Sequence, residues 1–339
     1  MKSPNSHNLE HRQINTLMSI ADAAALIRAG APLSIAGRPA ALDRLPTGNW
    51  IGGTTPYFMT EDGGTVIGDD RVFVTDFSAA PQVSVASYAA DELERISGEA
   101  PDNGFALAIL PAESECHRRF ATEAASYPQA FLRPTVGWIA GFDLDEPGAH
   151  ASVYDGRTGI ASRDRAVVLH VGLPADALVS VEIVNLFTPD EGDVIHFDET
   201  SFTPGACEVN GVRTNFADYV AARGRADGQL PLIGDFGGAH VNASIRSIDA
   251  AGRTVTLYAP VFPGVDYRFA APVADYAGRF REALAARPAE GTLWSCNCIL
   301  NFLFGELAGK AIGGTAGPIT FGEIAYQLLN QTLVRVRGL

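Results

Sequence analysis

The chain has 339 residues, 47% hydrophobic and 19% charged, which is enough apolar material for two core-forming units and too much for a disordered chain. Its 39 acidic residues against 25 basic ones leave a net charge of −14, a balance that repels phosphate backbones and anionic lipid and so argues against nucleic-acid and membrane-surface partners. No apolar run is long enough to span a bilayer and the opening residues lack the apolar core of a secretory signal, so a cytoplasmic location is expected.

Residues 1–17 read as a polar, disordered lead-in. From Met18 to Gly30 the apolar spacing predicts a helix with a glycine stop, its start capped by Ser19 or Asp22. Short strands are expected at 32–36, 50–54, 65–67 and 71–77, punctuated by Gly52-Gly53 and Gly63-Gly64. Residues 89–96 and 115–126 read as helices, with a buried strand at 105–110 and another at 135–142. A β-rich middle follows, strongest at 167–171 and 179–187. Asp143, Asp145 and Glu146, next to Pro147 and Gly148, read as a solvated acidic turn.

The pattern changes near residue 200, which divides the chain into halves at 18–200 and 201–339. Asn210-Gly211 marks a tight turn, 216–223 a helix, and 241–248 with 254–258 an antiparallel hairpin. Residues 273–286 read as an amphipathic helix, 293–298 as a strand and 301–310 as a helix. From Gly317 onward the expectation is strand, glycine turn, a short helical or irregular piece, then a β-branched strand that ties the terminus into a sheet. The fold class is α/β in the mixed α+β sense, two-lobed.

Four cysteines, Cys116, Cys207, Cys296 and Cys298, are too few for a disulfide scaffold in so long a chain and read as reduced thiols. Two closely spaced cysteines do not complete a zinc site, so no metal is expected. Ile51-Gly-Gly-Thr-Thr-Pro-Tyr57 lacks the Gly-Lys-Ser/Thr ending of a phosphate loop and the spacing of a dinucleotide fingerprint, which disfavours nucleotides.

The order of Glu208-Val-Asn-Gly-Val-Arg, Phe262-Pro-Gly-Val-Asp-Tyr-Arg-Phe, Leu293-Trp-Ser-Cys-Asn-Cys and Phe321-Gly-Glu-Ile before Asn330-Gln-Thr-Leu-Val resembles the C-terminal half of FIST (F-box and intracellular signal transduction) sensory domains. Trp50-Ile-Gly-Gly-Thr-Thr-Pro looks like that family's strand entering a ligand loop. The sequence departs from the family where Cys298 leads to Ile299-Leu-Asn-Phe in place of an arginine and glycines. The resemblance implies a stand-alone cytoplasmic sensory protein that binds a small amino-acid-like molecule, or in some members haem, and signals through a separate protein.

On that reading Gly53, Thr54 and Tyr57 face the ligand from the first half, and Cys296, Asn297, Phe321, Glu323 and Asn330 from the second. Glu323, Asn330 and Thr332 are equally suited to holding the fold, because a buried carboxylate or amide must be hydrogen-bonded wherever it sits. Two other readings stand beside it. One is a cysteine-dependent enzyme using Cys298 or Cys296, which would need a depressed thiol pKa. The other is a haem-based gas sensor with His170, His196 or His240 as non-covalent axial ligand, since no Cys-x-x-Cys-His attachment motif is present.

Overall fold

The computed structural model describes residues 15–225, 227–287, 290–313 and 315–338. The architecture is mixed α+β, with four six-stranded sheets and a two-stranded hairpin. Of the expected lead-in, residues 1–14 lie outside the described residues, whereas 15–17 already belong to the strand Asn15–Ser19, which pairs with Arg71–Asp76.

The first sheet alternates cleanly. Leu33, Ile35, Trp50, Val72 and Val74 turn outward beneath the helices Ile20–Arg28 and Pro39–Leu42, while Ile51, Phe73 and Val153 turn inward. Ser19 caps the first helix by accepting the Asp22 N–H at 3.2 Å. In the second sheet the strand Gly104–Pro111 is buried on both faces, as expected of a strand covered on both sides. Phe105, Leu107 and Ile109 enter a core shared by the first three sheets. The smaller Ala106 and Ala108 lie on the opposite face, in the same core as Cys116 and Phe120 of the helix Glu115–Glu123, and leave room for it to pack closely. Gly53 is fixed by sheet-on-sheet packing, since a Cβ there would come within 2.6 Å of Ile109 Cγ2 and 2.8 Å of Trp138 Cη2.

The third sheet runs Val179–Val184, Leu333–Gly338, Thr292–Cys298, Gly317–Thr320, Tyr57–Thr60, Gly63–Val66, and so joins strands from both sides of residue 200. The hairpin Glu323–Ala325/Gln327–Leu329 extends the second sheet against Thr135–Ala140. The fourth sheet is drawn wholly from residues 195–269.

Several elements differ from expectation, each for a local reason. The closing segment contains a β-hairpin where a helical or irregular piece was expected; Tyr326 turns it at φ +65° and its N–H donates to the Thr135 carbonyl at 2.8 Å. The helix expected at 301–310 is Ile299–Phe304, ending at Gly305, with Glu306 in the left-handed region at φ +48°. The helix expected at 89–96 is a 3-10 turn, Ala90–Glu92, followed by a short helix, Arg95–Gly98. The strand expected at 241–248 breaks at Ser244 into His240–Ala243 of the fourth sheet and Ile245–Asp249 of the small hairpin. The buried Ser244 hydroxyl bonds to Gln331 Oε1 at 2.7 Å instead of continuing a regular strand.

Candidate ligand site

Three parallel strand pairs, one in each of the first three sheets, end at the same place. They are Leu33–Gly37 with Trp50–Thr54, Gly104–Pro111 with Thr135–Ala140, and Thr292–Cys298 with Gly317–Thr320. Their carboxyl ends are tied to one another directly. The Gly141 N–H donates to the Thr54 carbonyl at 2.7 Å, and the Phe321 N–H to the Ile139 carbonyl at 3.0 Å. The Thr55 hydroxyl donates to the Ile319 carbonyl at 2.8 Å, and the Thr54 hydroxyl to the Gly141 carbonyl at 2.6 Å. In α/β sheets the carboxyl ends of parallel strands are where ligands gather.

Charge sits on the rim of this junction. Arg38 follows Gly37, donates from Nε to the Ile67 carbonyl at 2.7 Å, and pairs through Nη2 with Asp143. The pair is partly open, with side-chain exposures of 23% and 16%. Tyr57 Oη accepts the Leu144 N–H at 3.0 Å and lies 3.4 Å from Asp143 Oδ1. Burial acts to raise the Asp143 carboxyl, but the Asp145 N–H and the Arg38 guanidinium outweigh it and hold the group below its ordinary value. Burial raises the Tyr57 phenol. Phe321 packs edge-on against Phe142, 4.9 Å between centroids, and lies so close over Gly141 that a Cβ there would be 2.2 Å from its ring.

A buried polar cluster lies at the carboxyl end of the third strand pair, around Thr320 and Cys298. Glu323 is fully buried; its Oε2 accepts the Thr332 N–H at 3.2 Å and the Thr332 hydroxyl at 2.8 Å, and its Oε1 lies 3.0 Å from Thr320 Oγ1. Burial pushes its carboxyl up to about 8, against hydrogen bonds from Thr332, Thr320 and the Cys298 thiol. Asn297 Oδ1 accepts from the Cys298 N–H at 2.9 Å and from Asn301 Nδ2 at 2.8 Å, and the Tyr276 hydroxyl donates to Asn301 Oδ1 at 2.6 Å. Asn297 Nδ2 and Asn330 Oδ1 are buried without a partner among the described residues.

The expected site residues therefore separate by depth. Tyr57 and Phe321 lie at the junction, and Asn297 and Glu323 belong to the buried polar cluster at the end of the third strand pair. The Thr54 hydroxyl is engaged by the backbone of Gly141 and Ser152. Gly53 and Cys296 stand one step back, Gly53 against Trp138 and Cys296 with its thiol 3.7 Å from the Gly137 carbonyl. Asn330 and its neighbours stitch sheets together: the Asn330 carbonyl accepts from Asn242 Nδ2 at 3.0 Å, and Gln331 Nε2 donates to the Gln229 carbonyl at 3.3 Å.

Arg38 and Asp143 were not singled out as site residues. Asp145 and Glu146 are exposed as the acidic turn requires, but Asp143 is folded back onto Arg38 and Tyr57, which corrects its place in a solvated cluster. The available signal was Gly37-Arg38-Pro39, a charged residue between a strand end and a proline that opens a helix.

The thiols and histidines have their own settings. Cys296 and Cys298 are buried, and burial, then the nearby Glu323, raises both thiols well above the ordinary value. His170 Nε2 lies 2.8 Å from the Tyr88 hydroxyl, His196 pairs with Asp266 at 2.7 Å, and His240 is exposed. Among the described residues no three His, Cys, Asp or Glu side chains converge as a metal ligand set would, and no helix is long and apolar enough to cross a membrane. Two surface hollows lie away from this chemistry: one of about 450 Å³ beside Gly30, Pro32 and Asn49, at the amino ends of the first sheet's parallel strands, and one of about 170 Å³ lined by Phe77, Val171 and Leu173.

No curated protein matches the chain. Its membership is nonetheless defined over nearly its whole length: the chain belongs to a family of unknown function, DUF6976, whose profile matches residues 18–338.

Proposed function

We propose that the protein is a binding module for a small zwitterionic, amino-acid-like molecule and passes its occupancy to a separate signalling protein. The observation that carries this reading is the convergence of three parallel strand pairs, from three different sheets, on one partly open Arg38–Asp143 pair. A guanidinium suits a ligand carboxylate in bidentate fashion, and a carboxylate held ionised suits an ammonium. Phe142 and Phe321 pack together next to Asp143 and Gly141, and the strand ends, hydrogen-bonded to each other, hold these groups in fixed positions. The resemblance to FIST sensory domains points the same way.

Thermal unfolding in the presence of each common amino acid tests the reading. A ligand at 100 times its dissociation constant adds about 2.7 kcal/mol and raises Tm measurably. The expected result is a shift with one chemical subset of the panel that disappears in Arg38→Ala while the unliganded fold persists. A flat response to every compound, or a shift that survives both Arg38→Ala and Asp143→Asn, removes the site.

A further inference from the structure

Glu323 presents a problem of charge that its surroundings resolve in one way. The side chain is 0% exposed, and among the described residues no cation pairs with it. An ionised carboxylate buried without a counter-charge costs several kcal/mol, and a protein avoids that cost by keeping the proton. The titratable groups facing it from the packed elements are the Cys296 and Cys298 thiols of the strand Thr292–Cys298 and the Tyr276 phenol of the helix Tyr276–Ala285, and burial keeps all three neutral near pH 7.

The hydrogens also count out with one more proton present. Thr320 has a single hydroxyl hydrogen and two oxygen acceptors in reach, Glu323 Oε1 at 3.0 Å and the Asn297 carbonyl at 3.3 Å, with the weaker Cys296 sulfur beside them. With a proton on Oε1, Glu323 donates to Thr320 and Thr320 donates to Asn297. Without it, the Thr320 hydrogen turns to the carboxylate and the Asn297 carbonyl loses that donor. On the other oxygen, Oε2 accepts from both the N–H and the hydroxyl of Thr332.

Thr332 belongs to the turn that holds the sheets together. Asn330 bonds to Asn242 and Gln331 to Ser244, both on the fourth-sheet side, while the Thr332 carbonyl accepts the Cys298 N–H at 3.1 Å in the third sheet. Gln331 sits at φ +50°, a conformation that needs its surroundings to hold it. We infer that Glu323 is carried as a neutral carboxylic acid and that its proton is a latch on the Asn330–Thr332 turn. After proton loss the two Thr332 bonds favour the anion but do not offset its unpaired burial, and the charge reaches water only when the turn joining the fourth sheet to the other three opens. This is independent of any ligand at Arg38.

Hydrogen exchange at the Thr332, Leu333 and Val334 amides, corrected for intrinsic base catalysis, reads the latch directly in the full chain. In the wild type the opening constant rises roughly tenfold per pH unit between about pH 5 and about pH 8, because the open form releases one proton that the closed form keeps. Glu323→Gln, which keeps the neutral shape and the donor to Thr320, gives an opening constant that does not change with pH. Parallel pH dependence in both proteins overturns the inference. If the variant does not fold, infrared spectra of the wild type decide: a protonated-carboxyl band at about pH 6 that is gone by about pH 9.5 supports the latch, and its absence at about pH 6 overturns it.

Discussion

Gly53 shows how a residue that reads as ligand-facing is claimed by the packing between two sheets. Its missing Cβ is what lets the first sheet approach Ile109 and Trp138 of the second. Gly53→Ala places a methyl group 2.6 Å from Ile109 Cγ2, and the backbone must give on one side or the other. The expected cost is about 1–3 kcal/mol, read as a lower denaturation midpoint in urea at unchanged m value. A variant as stable as the wild type means that Trp138 can move aside freely. Glu323 was legible as a residue whose carboxylate needs partners, yet not as one held neutral, because that depends on Thr320, Thr332 and Cys298 arriving from separate elements. Arg38 and Asp143 lie over a hundred positions apart, and spacing along the chain gives no sign that they meet.

At the scale of elements, the strand Leu333–Gly338 lies between Val179–Val184 and Thr292–Cys298 and carries a guanidinium that is 1% exposed. Arg335 donates from Nε to Glu182 Oε2 at 2.8 Å, and Arg287 Nε lies 3.2 Å from the other oxygen. Removing Arg335 strands Glu182 on an edge strand, with only the more exposed Arg287 to answer it. Arg335→Met is expected to cost about 2–4 kcal/mol, with much of that recovered in the double variant Arg335→Met/Glu182→Leu, because the pair is expensive to break and cheap to replace. Additive losses in the double-mutant cycle count against a direct coupling between the two strands. Strands with apolar alternation or continuous apolar runs, such as Trp50–Thr54 and Ala166–Gly172, were readable from periodicity. The hairpin closed by Tyr326 was not, since a tyrosine at φ +65° lacks the glycine or asparagine signal of such a turn and is held by its backbone bond to Thr135 and the stacked Phe131 ring at 6.1 Å.

For the molecule as a whole, three groups, the buried His170 and Glu323 and the half-buried His117, set opposite slopes of stability against pH. His117 and His170 are pushed down to about 4, both first by burial and His117 also by Arg246, so the unfolded chain binds protons there that the folded one refuses. Their contribution rises with pH between the folded value of about 4 and the unfolded value of about 6.5. Glu323 is raised from 4.5 to about 8, so its contribution is complete below the unfolded value and is lost as pH climbs through the folded one. Two rising slopes outweigh one falling slope up to about pH 6.5, after which only the fall remains, each slope being roughly 1.4 kcal/mol per pH unit. Stability measured by urea titration should therefore peak near pH 6.5 and decline toward pH 8. A profile still climbing over that interval contradicts the assignment. The mixed α+β class was readable from the alternation of elements, whereas the sharing of sheets across residue 200 was not, because pairing of distant strands leaves no mark on either one alone.

That sharing has a consequence for how the protein acquires its shape during synthesis. Gly317 pairs with Met59, and Leu333–Gly338 fills an interior position of a sheet whose early strands have long since left the ribosome. Until the late strands emerge, Tyr57–Thr60 has no neighbour on one side and presents open backbone donors and acceptors to other chains. Contacts this distant in sequence form slowly. Nascent chains should thus be most vulnerable to aggregation and most dependent on chaperones in the interval after Tyr57–Thr60 has emerged and before Gly317–Thr320 and Leu333–Gly338 follow, while the sheet still waits for its interior strands.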